Sequence, residues 1–195
     1  MPHDTDLPLS RRGALLAAFI VSGLPLSAWS TPMNPAGPRP PGAEGFDFLL
    51  GSWTVRHRKL SARLRGSADW VEFPGTLDVR AILGGLGDID ENVLEDPAGR
   101  VLATSLRVFD AKSGDWSIYW IDARAPGLDP PLVGRFEGRV GHFYNDDVFE
   151  GRPVRVRFIY EDLGPRQARW SQAFSPDHGA TWETNWTMDF TRTGA

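Results

Sequence analysis

The chain has 195 residues, contains no cysteine and carries a formal net charge of −4. Without cysteine, disulfide bonds, thiolate zinc sites and cysteine catalysis are excluded. No basic stripe dominates any segment, so we expect no nucleic-acid partner. Hydrophobic residues make up 41% of the chain and charged residues 24%, which is typical of a soluble globular domain.

Residues 1–30 have the pattern of a signal peptide. Arg11 and Arg12 precede an apolar run over 13–26, which is shorter than the roughly 20 residues of a membrane span. Small residues at 28–30 form a cleavage site. The order Ser-Arg-Arg-x-x-Leu-Leu resembles a twin-arginine signal, with a plain Sec signal as the alternative. We predict a periplasmic or secreted protein with no stable membrane insertion after cleavage.

The segment 31–45 is rich in proline and glycine and has little apolar bulk, which predicts a mobile tether. The next segment, 46–50, is a short apolar turn that could plug one end of a hollow fold. Strand-like alternation begins at Trp53, which shares a face with Val55 and His57. We therefore predict that the folded domain covers 46–192.

Alternating segments continue to the end of the chain and are separated by turn signals. We count about nine of them, with no long helical period. The segment Ser175–Trp182 predicts a hairpin turn in which Asp177 binds nearby backbone. Short strands at this spacing predict an all-β sandwich or barrel. The runs are 53–58, 69–83, 87–94, 102–108, 115–123, 133–144, 154–161, 168–175 and 183–191.

A Gly-x-Trp sequence at Gly51 and Trp53, with Arg192 at the end of the last strand, resembles the calycin superfamily, which includes the lipocalins. The runs FDFLLGSW, YWID and GRFEG are similar to a family of exported bacterial lipocalin-like proteins without an assigned activity. The resemblance covers 45–192. It implies a single antiparallel up-and-down β-barrel of 8 to 10 strands, whose base is closed by Trp53 under the Arg192 guanidinium.

Carboxylates near strand ends form the candidate site. We predict that Glu91, Asp122 and Glu137 line a cavity at the end of the barrel away from Trp53, with Trp120 as its wall and His57 as an inner partner. Parity places Glu137 opposite Phe136, so at most one of that pair faces inward. The loop 124–132 is expected beside the mouth. The alternative is that these carboxylates form salt bridges at the rim.

An aromatic cavity with a few polar groups is typical of a small-molecule site, so we predict an exported protein that binds a small organic ligand. An enzyme that uses paired carboxylates, such as an isomerase, hydratase or hydrolase, is the first alternative. A haem-binding barrel that uses one histidine is the second. The sequence contains no metal-binding motif or phosphate loop, and we predict neither a metal nor a cofactor.

Overall fold

The computed structural model describes residues 38–125 and 127–193, which form ten antiparallel strands in one closed barrel. The predicted all-β, up-and-down barrel is therefore confirmed. The strands are β1 Gly51–Leu60, β2 Trp70–Ile82, β3 Gly87–Leu94, β4 Val101–Asp110, β5 Asp115–Asp122, β6 Leu132–Glu137, β7 Val140–Phe149, β8 Arg152–Gly164, β9 Gln167–Ser175 and β10 Glu183–Arg192.

Each strand pairs with its neighbours in sequence, and the barrel closes where β1 pairs with β10. That last ladder runs from the pair Trp53–Arg192 to the pair Lys59–Trp186. Closure removes the unpaired strand edges that would otherwise be open to association. In β1, Trp53, Val55 and His57 are buried and the residues between them are exposed, as the alternation predicts.

The sequence count of nine strands is one too low, because the segment 133–144 contains two strands. A two-residue turn at Gly138 and Arg139 separates β6 from β7, which pair in a hairpin. β7 then continues to Phe149, so Asn145 and Asp147 belong to a strand. The interpretation of 133–144 as one bent strand is wrong, since its glycines include a turn residue.

The end of the barrel that contains Trp53, called the base below, is filled by aromatic rings. A short 3-10 turn, Asp47–Leu49, follows Phe46, whose ring is fully buried. The Phe46 ring centroid lies 5.0 Å from Trp116, 4.9 Å from Phe136 and 5.0 Å from Tyr160, each pair edge to face. This geometry is the favourable one for aromatic pairs, and the segment 46–50 packs as the predicted plug.

The packed part of the chain begins before this plug. Ala43 is fully buried, and the Trp116 indole donates a hydrogen bond to the Gly42 carbonyl at 3.0 Å. Arg39 forms an ion pair with Asp47. Residues 39–45, which the sequence assigns to the tether, are therefore part of the base. The signal-peptide prediction for 1–30 lies outside the described residues, as does the start of the tether.

No helix in the described part of the chain is long and apolar enough to cross a membrane.

Gly51, Trp53 and Arg192 meet as the calycin resemblance implies. The Arg192 guanidinium lies over the Trp53 ring, 4.1 Å from its centroid, and donates hydrogen bonds to the carbonyls of Phe48 and Leu50. Gly51 has a φ of +108°, and a Cβ there would lie 2.7 Å from Arg192 Nη1. Glycine is therefore required both by the backbone conformation and by the guanidinium.

The hairpin turn between β9 and β10 is also confirmed. The Asp177 carboxylate accepts hydrogen bonds from the Thr181 amide at 2.8 Å and from the Thr181 hydroxyl at 2.6 Å. The Ser175 hydroxyl donates to Asp177 at 2.7 Å. These bonds, with those from Thr181 first, lower the pKa of Asp177 to about 2. The segment is thus a structural turn built on one carboxylate.

We expect Trp53→Ala to lower the free energy of unfolding by about 3–5 kcal/mol, because it empties a large buried volume. Gly51→Ala should cost about 1–3 kcal/mol through its positive φ and its clash with Arg192. Urea unfolding of both variants measures these changes. The control is Thr54→Ala on the exposed face of β1, which should stay within about 0.5 kcal/mol of the wild type. An unchanged Gly51→Ala variant would contradict this description of the base.

Candidate functional site

The space inside the barrel is divided into two chambers that share four lining residues. The upper chamber has a volume of about 150 Å³ and includes exposed residues Asp129 and Pro130 of the loop between β5 and β6. The lower chamber, of about 20 Å³, lies deeper and includes Asp90 and Arg107. The residues that line both chambers are Ile118, Trp120, Phe158 and Trp170.

Aromatic rings form the wall of the upper chamber. Trp186 lies nearly perpendicular to two other tryptophans: its centroid is 5.3 Å from that of Trp170 and 6.2 Å from that of Trp120. Phe158 packs edge to face on Trp170 at 4.8 Å. β5, β8, β9 and β10 supply these side chains from inward positions of their alternation. The upper chamber therefore presents flat apolar surfaces to an occupant.

Two buried polar atoms of the upper chamber lack a hydrogen-bond partner among the described residues. They are the donor Trp170 Nε1 and the acceptor Asn145 Oδ1. The other amide atom of Asn145, Nδ2, donates to the Pro130 carbonyl at 3.2 Å. An unsatisfied buried polar group costs about 1–3 kcal/mol. Each atom belongs to a side chain that lines the upper chamber, and neither is compensated by a hydrogen bond from the described residues.

The charged groups of the upper chamber are acidic. Asp129 and Asp147 line it, and among the described residues no lysine or arginine does. Lys59 nevertheless lies close by, because its Nζ is 5.0 Å from the centroid of the Trp186 ring. Burial lowers the pKa of this lysine, and Arg63 adds to the effect. The chamber thus lies between two carboxylates and one ammonium.

A buried ion-pair network borders the lower chamber. Arg107 is 1% exposed, and its Nε donates to Asp88 Oδ1 at 2.6 Å. Its Nη2 lies 2.8 Å from Asp90 Oδ2, in an ion pair that is poorly aligned as a hydrogen bond. Burial raises the pKa of Asp88, although Arg107 opposes the shift. Burial alone would lower the pKa of Arg107, but the two carboxylates raise it overall.

The Asp90 side chain also takes the place of a missing backbone pairing between β3 and β4. The ladder between β3 and β4 has no pairs for Asp90 and Glu91, between the pairs at Ile89 and Asn92. Asp90 Oδ1 instead accepts the Ser105 amide at 2.7 Å and the Asn92 side-chain amide at 2.6 Å. These two bonds engage Oδ1, and the Arg107 ion pair engages Oδ2, which makes Asp90 a structural anion of the barrel interior.

His57 is inside the barrel but does not line either chamber. It stacks on Phe73 at 4.8 Å, and its Nδ1 accepts a hydrogen bond from the Trp186 indole at 3.3 Å. Its Nε2 packs against the Gly75 backbone, where a Cβ would be 2.5 Å away. Burial, with a smaller contribution from Lys59, lowers the pKa of His57 to about 4. The imidazole is therefore neutral at physiological pH.

The other predicted site residues do not converge on one place. Trp120 lines both chambers as predicted, whereas Glu91 is exposed on the outer face of β3. Glu137 is exposed at the base end of β6. Neither glutamate lines either chamber, because strand parity turns Asp90 and Phe136 inward instead. An exterior groove of about 600 Å³ on β2 to β5 includes Glu91, but it is open to solvent.

Asp122 lies two residues after Trp120 on β5 and is therefore on the same, inward face of the strand, but it does not line either chamber. Arg124 binds its carboxylate through Nε at 3.0 Å, and this pair lowers the pKa of Asp122. Asp122 therefore makes a salt bridge at the rim in this structure, as the alternative interpretation expects. Whether it or either glutamate takes part in ligand binding stays a prediction.

Sequence reasoning missed most of the chamber. Trp170 shares a strand face with Ala168 and Gln172, and Trp186 shares one with Met188. Polar residues occupy the positions between them, so the alternation was a usable signal that both tryptophans face inward. Asn145 carried none, since it lies just beyond the predicted strand run 133–144. No group of three or more histidine, aspartate or glutamate side chains that could hold a metal ion occurs within 38–125 and 127–193.

Comparisons with known proteins support the fold. No protein-family model and no curated protein matches the chain. Among solved structures, the S-type phycobiliprotein lyase CPES from Guillardia theta is similar, with a TM-score of 0.52 and 10% identity over 78% of this chain and 92% of that chain. At this identity the similarity shows the fold alone. The chain is a closed ten-strand antiparallel barrel whose fold resembles that of this lyase, and its membership of the calycins and of the bacterial lipocalin-like family stays a prediction.

The depressed pKa of His57 predicts a pH-dependent stability. Unfolded, this histidine protonates near its ordinary pKa of 6.5, whereas the folded protein resists protonation until about pH 4. The stability contribution is therefore complete above pH 6.5 and declines as the pH falls towards 4. Between about pH 7.5 and about pH 5 this linkage should remove about 2 kcal/mol from the free energy of unfolding.

Urea unfolding at both pH values, on wild type and His57→Gln, measures this loss. The variant should be less stable at the higher pH yet lose about 2 kcal/mol less on acidification. His142→Gln, on the half-buried side chain of β7, is the control and should keep the wild-type loss. Equal losses in wild type and His57→Gln would show that His57 does not resist protonation.

Proposed function

We propose that this protein binds a small organic ligand inside the barrel, in the upper chamber. The observation that carries the proposal is the combination of a preformed aromatic wall with two buried, unpaired polar atoms, Trp170 Nε1 and Asn145 Oδ1. Concave apolar sites with a few convergent polar groups are the usual form of small-molecule sites. The similar fold of the phycobiliprotein lyase is compatible with this role.

An enzyme with paired carboxylates receives less support from the geometry. The predicted carboxylates Glu91, Asp122 and Glu137 lie apart, and none lines the chambers. Asp90 does line the lower chamber, but Arg107, Asn92 and Ser105 occupy both of its oxygens. A general base needs an oxygen within reach of the substrate proton, so these contacts favour a structural role for Asp90.

A haem-binding barrel does not fit the residues present. His57 Nδ1 is engaged by Trp186, and its Nε2 faces the backbone of Gly75. The upper chamber, at about 150 Å³, is below the roughly 300–1,000 Å³ of sites for drug-sized ligands. His57 Nε2 has no hydrogen-bond partner among the described residues, but His57 lines neither chamber, so this nitrogen is not placed to bind a haem there, and the chamber volume is too small for one.

Benzene is the probe for occupancy of the upper chamber, because an apolar cavity of about 150 Å³ accepts one benzene. Saturating benzene should raise the thermal midpoint of the protein by about 2–4 °C. Val156→Phe fills the chamber from a buried lining position and should abolish the shift. Differential scanning calorimetry measures both.

The matched control is Leu102→Phe, which adds a ring on the exposed outer face of β4. It should keep the full benzene shift. If benzene stabilises Val156→Phe as much as the wild type, or if neither benzene nor a polar single-ring probe binds the wild type, the chamber is not a ligand site and the proposed function fails.

We also propose that the protein is exported, by the twin-arginine route or through Sec. The leader pattern of 1–30 supports this proposal. We expect N-terminal sequencing of the periplasmic or secreted fraction to find a mature chain that begins near Thr31. Intact Met1 in that fraction would disprove cleavage.

A further inference from the structure

The chemistry of the upper chamber narrows the class of its ligand, if the proposed binding function is correct. The upper chamber has a volume of about 150 Å³. The lower chamber, behind the side chains that line both, has only about 20 Å³. This space matches a single ring with a small substituent. Because Trp170 and Trp120 both stand nearly perpendicular to Trp186, the walls are flat and favour a planar occupant.

The unpaired atoms specify the polar groups of this occupant. Trp170 Nε1 is a donor on a residue that is 3% exposed, so it requires an acceptor on the ligand. Asn145 Oδ1 is an acceptor and requires a donor. Rotation of the Asn145 amide does not remove this requirement, because the hydrogen bond from Nδ2 to the Pro130 carbonyl would be lost. The ligand must therefore carry both an acceptor and a donor.

The surrounding charges disfavour an anionic ligand. Asp129 and Asp147 line the upper chamber and repel an anion. The other charged groups near the rim are paired, Asp122 with Arg124 and Lys59 with Asp96 at 3.6 Å. A ligand without negative charge avoids the repulsion by the two carboxylates.

We infer that the ligand is a planar, single-ring compound without negative charge that has a carbonyl-type acceptor beside an N–H donor, as in an aromatic amide or a lactam heterocycle. This inference rests on the proposed binding function and specifies its ligand. The Trp170 indole donates to the acceptor of the ligand, and Asn145 accepts from its N–H. The aromatic walls supply the apolar contacts, and a ring without polar groups would make the same contacts.

The test uses three probes of the same ring size, which are benzamide, benzene and benzoate, titrated by isothermal calorimetry into the mature full-length protein. Benzamide should bind about tenfold more tightly than benzene, since it satisfies both unpaired atoms. Benzoate should bind about tenfold more weakly than benzamide, because it lacks the donor and is repelled by the carboxylates.

Trp170→Phe keeps an aromatic ring and removes the donor. It should weaken benzamide binding about fivefold or more beyond any change in benzene binding, because only benzamide loses a hydrogen bond. Trp182→Phe, in the turn before β10 and outside the chambers, is the matched control and should change neither affinity. A second readout needs no variant: the Nε1–H proton resonance of Trp170 should move on addition of benzamide and stay in place with benzene.

The outcomes separate this inference from the proposed function. If none of the three probes binds, the proposed function itself fails. If benzene binds, but benzamide binds no more tightly and the Trp170 resonance responds equally to both, the ligand class is wrong and the binding function stands. Tighter binding of benzoate than of benzamide would likewise overturn the inference, because it would require an anion site.

Discussion

Arg192 connects the parts of the chain on which the barrel depends. It ends the last strand, stacks on Trp53 near the start of the first strand, and donates to two carbonyls of the plug. A third hydrogen bond reaches the Pro165 carbonyl at 2.9 Å, in the turn between β8 and β9. A guanidinium can make these contacts together because its donors lie in one rigid plane and its face is available to an indole. The same residue therefore takes part both in the pairing of β1 with β10, which closes the sheet, and in the contacts that hold the plug in the base.

The filled base determines where free space remains. Phe46 and its aromatic neighbours occupy the lower third of the interior, and the Arg107 guanidinium lies 5.0 Å from the Phe46 ring centroid. Above them, Asp88 and Asp90 neutralise Arg107, since a buried charge without a partner would be very costly. The space that an occupant can use is therefore bounded by fixed charges below and by tryptophans at the sides.

Strand alternation predicted the barrel well and the site poorly. In β1 and β8 the two faces differ clearly in polarity, and the structure buries the apolar face of each. In β3 the face with Ile89 and Val93 is the more apolar one, yet Asp88, Asp90 and Asn92 are buried. A period of two separates the faces of a strand but does not say which is inside. Here the pairing of two aspartates with Arg107 of β4 reverses the usual rule that apolar side chains face inward.

The sequence by itself determined the strand pattern, the hairpin turn at Asp177 and the closure of the base. These features depend on local periodicity or on a short motif whose residue types have one geometric use, such as Gly51 at a positive φ. Only the tertiary structure decided the chamber. Trp120, Asn145, Trp170 and Trp186 come from four strands, and their common cavity depends on barrel register and on the volume that the plug leaves empty. The free acceptor of Asn145 likewise depends on Pro130, which is distant in sequence and close only after folding.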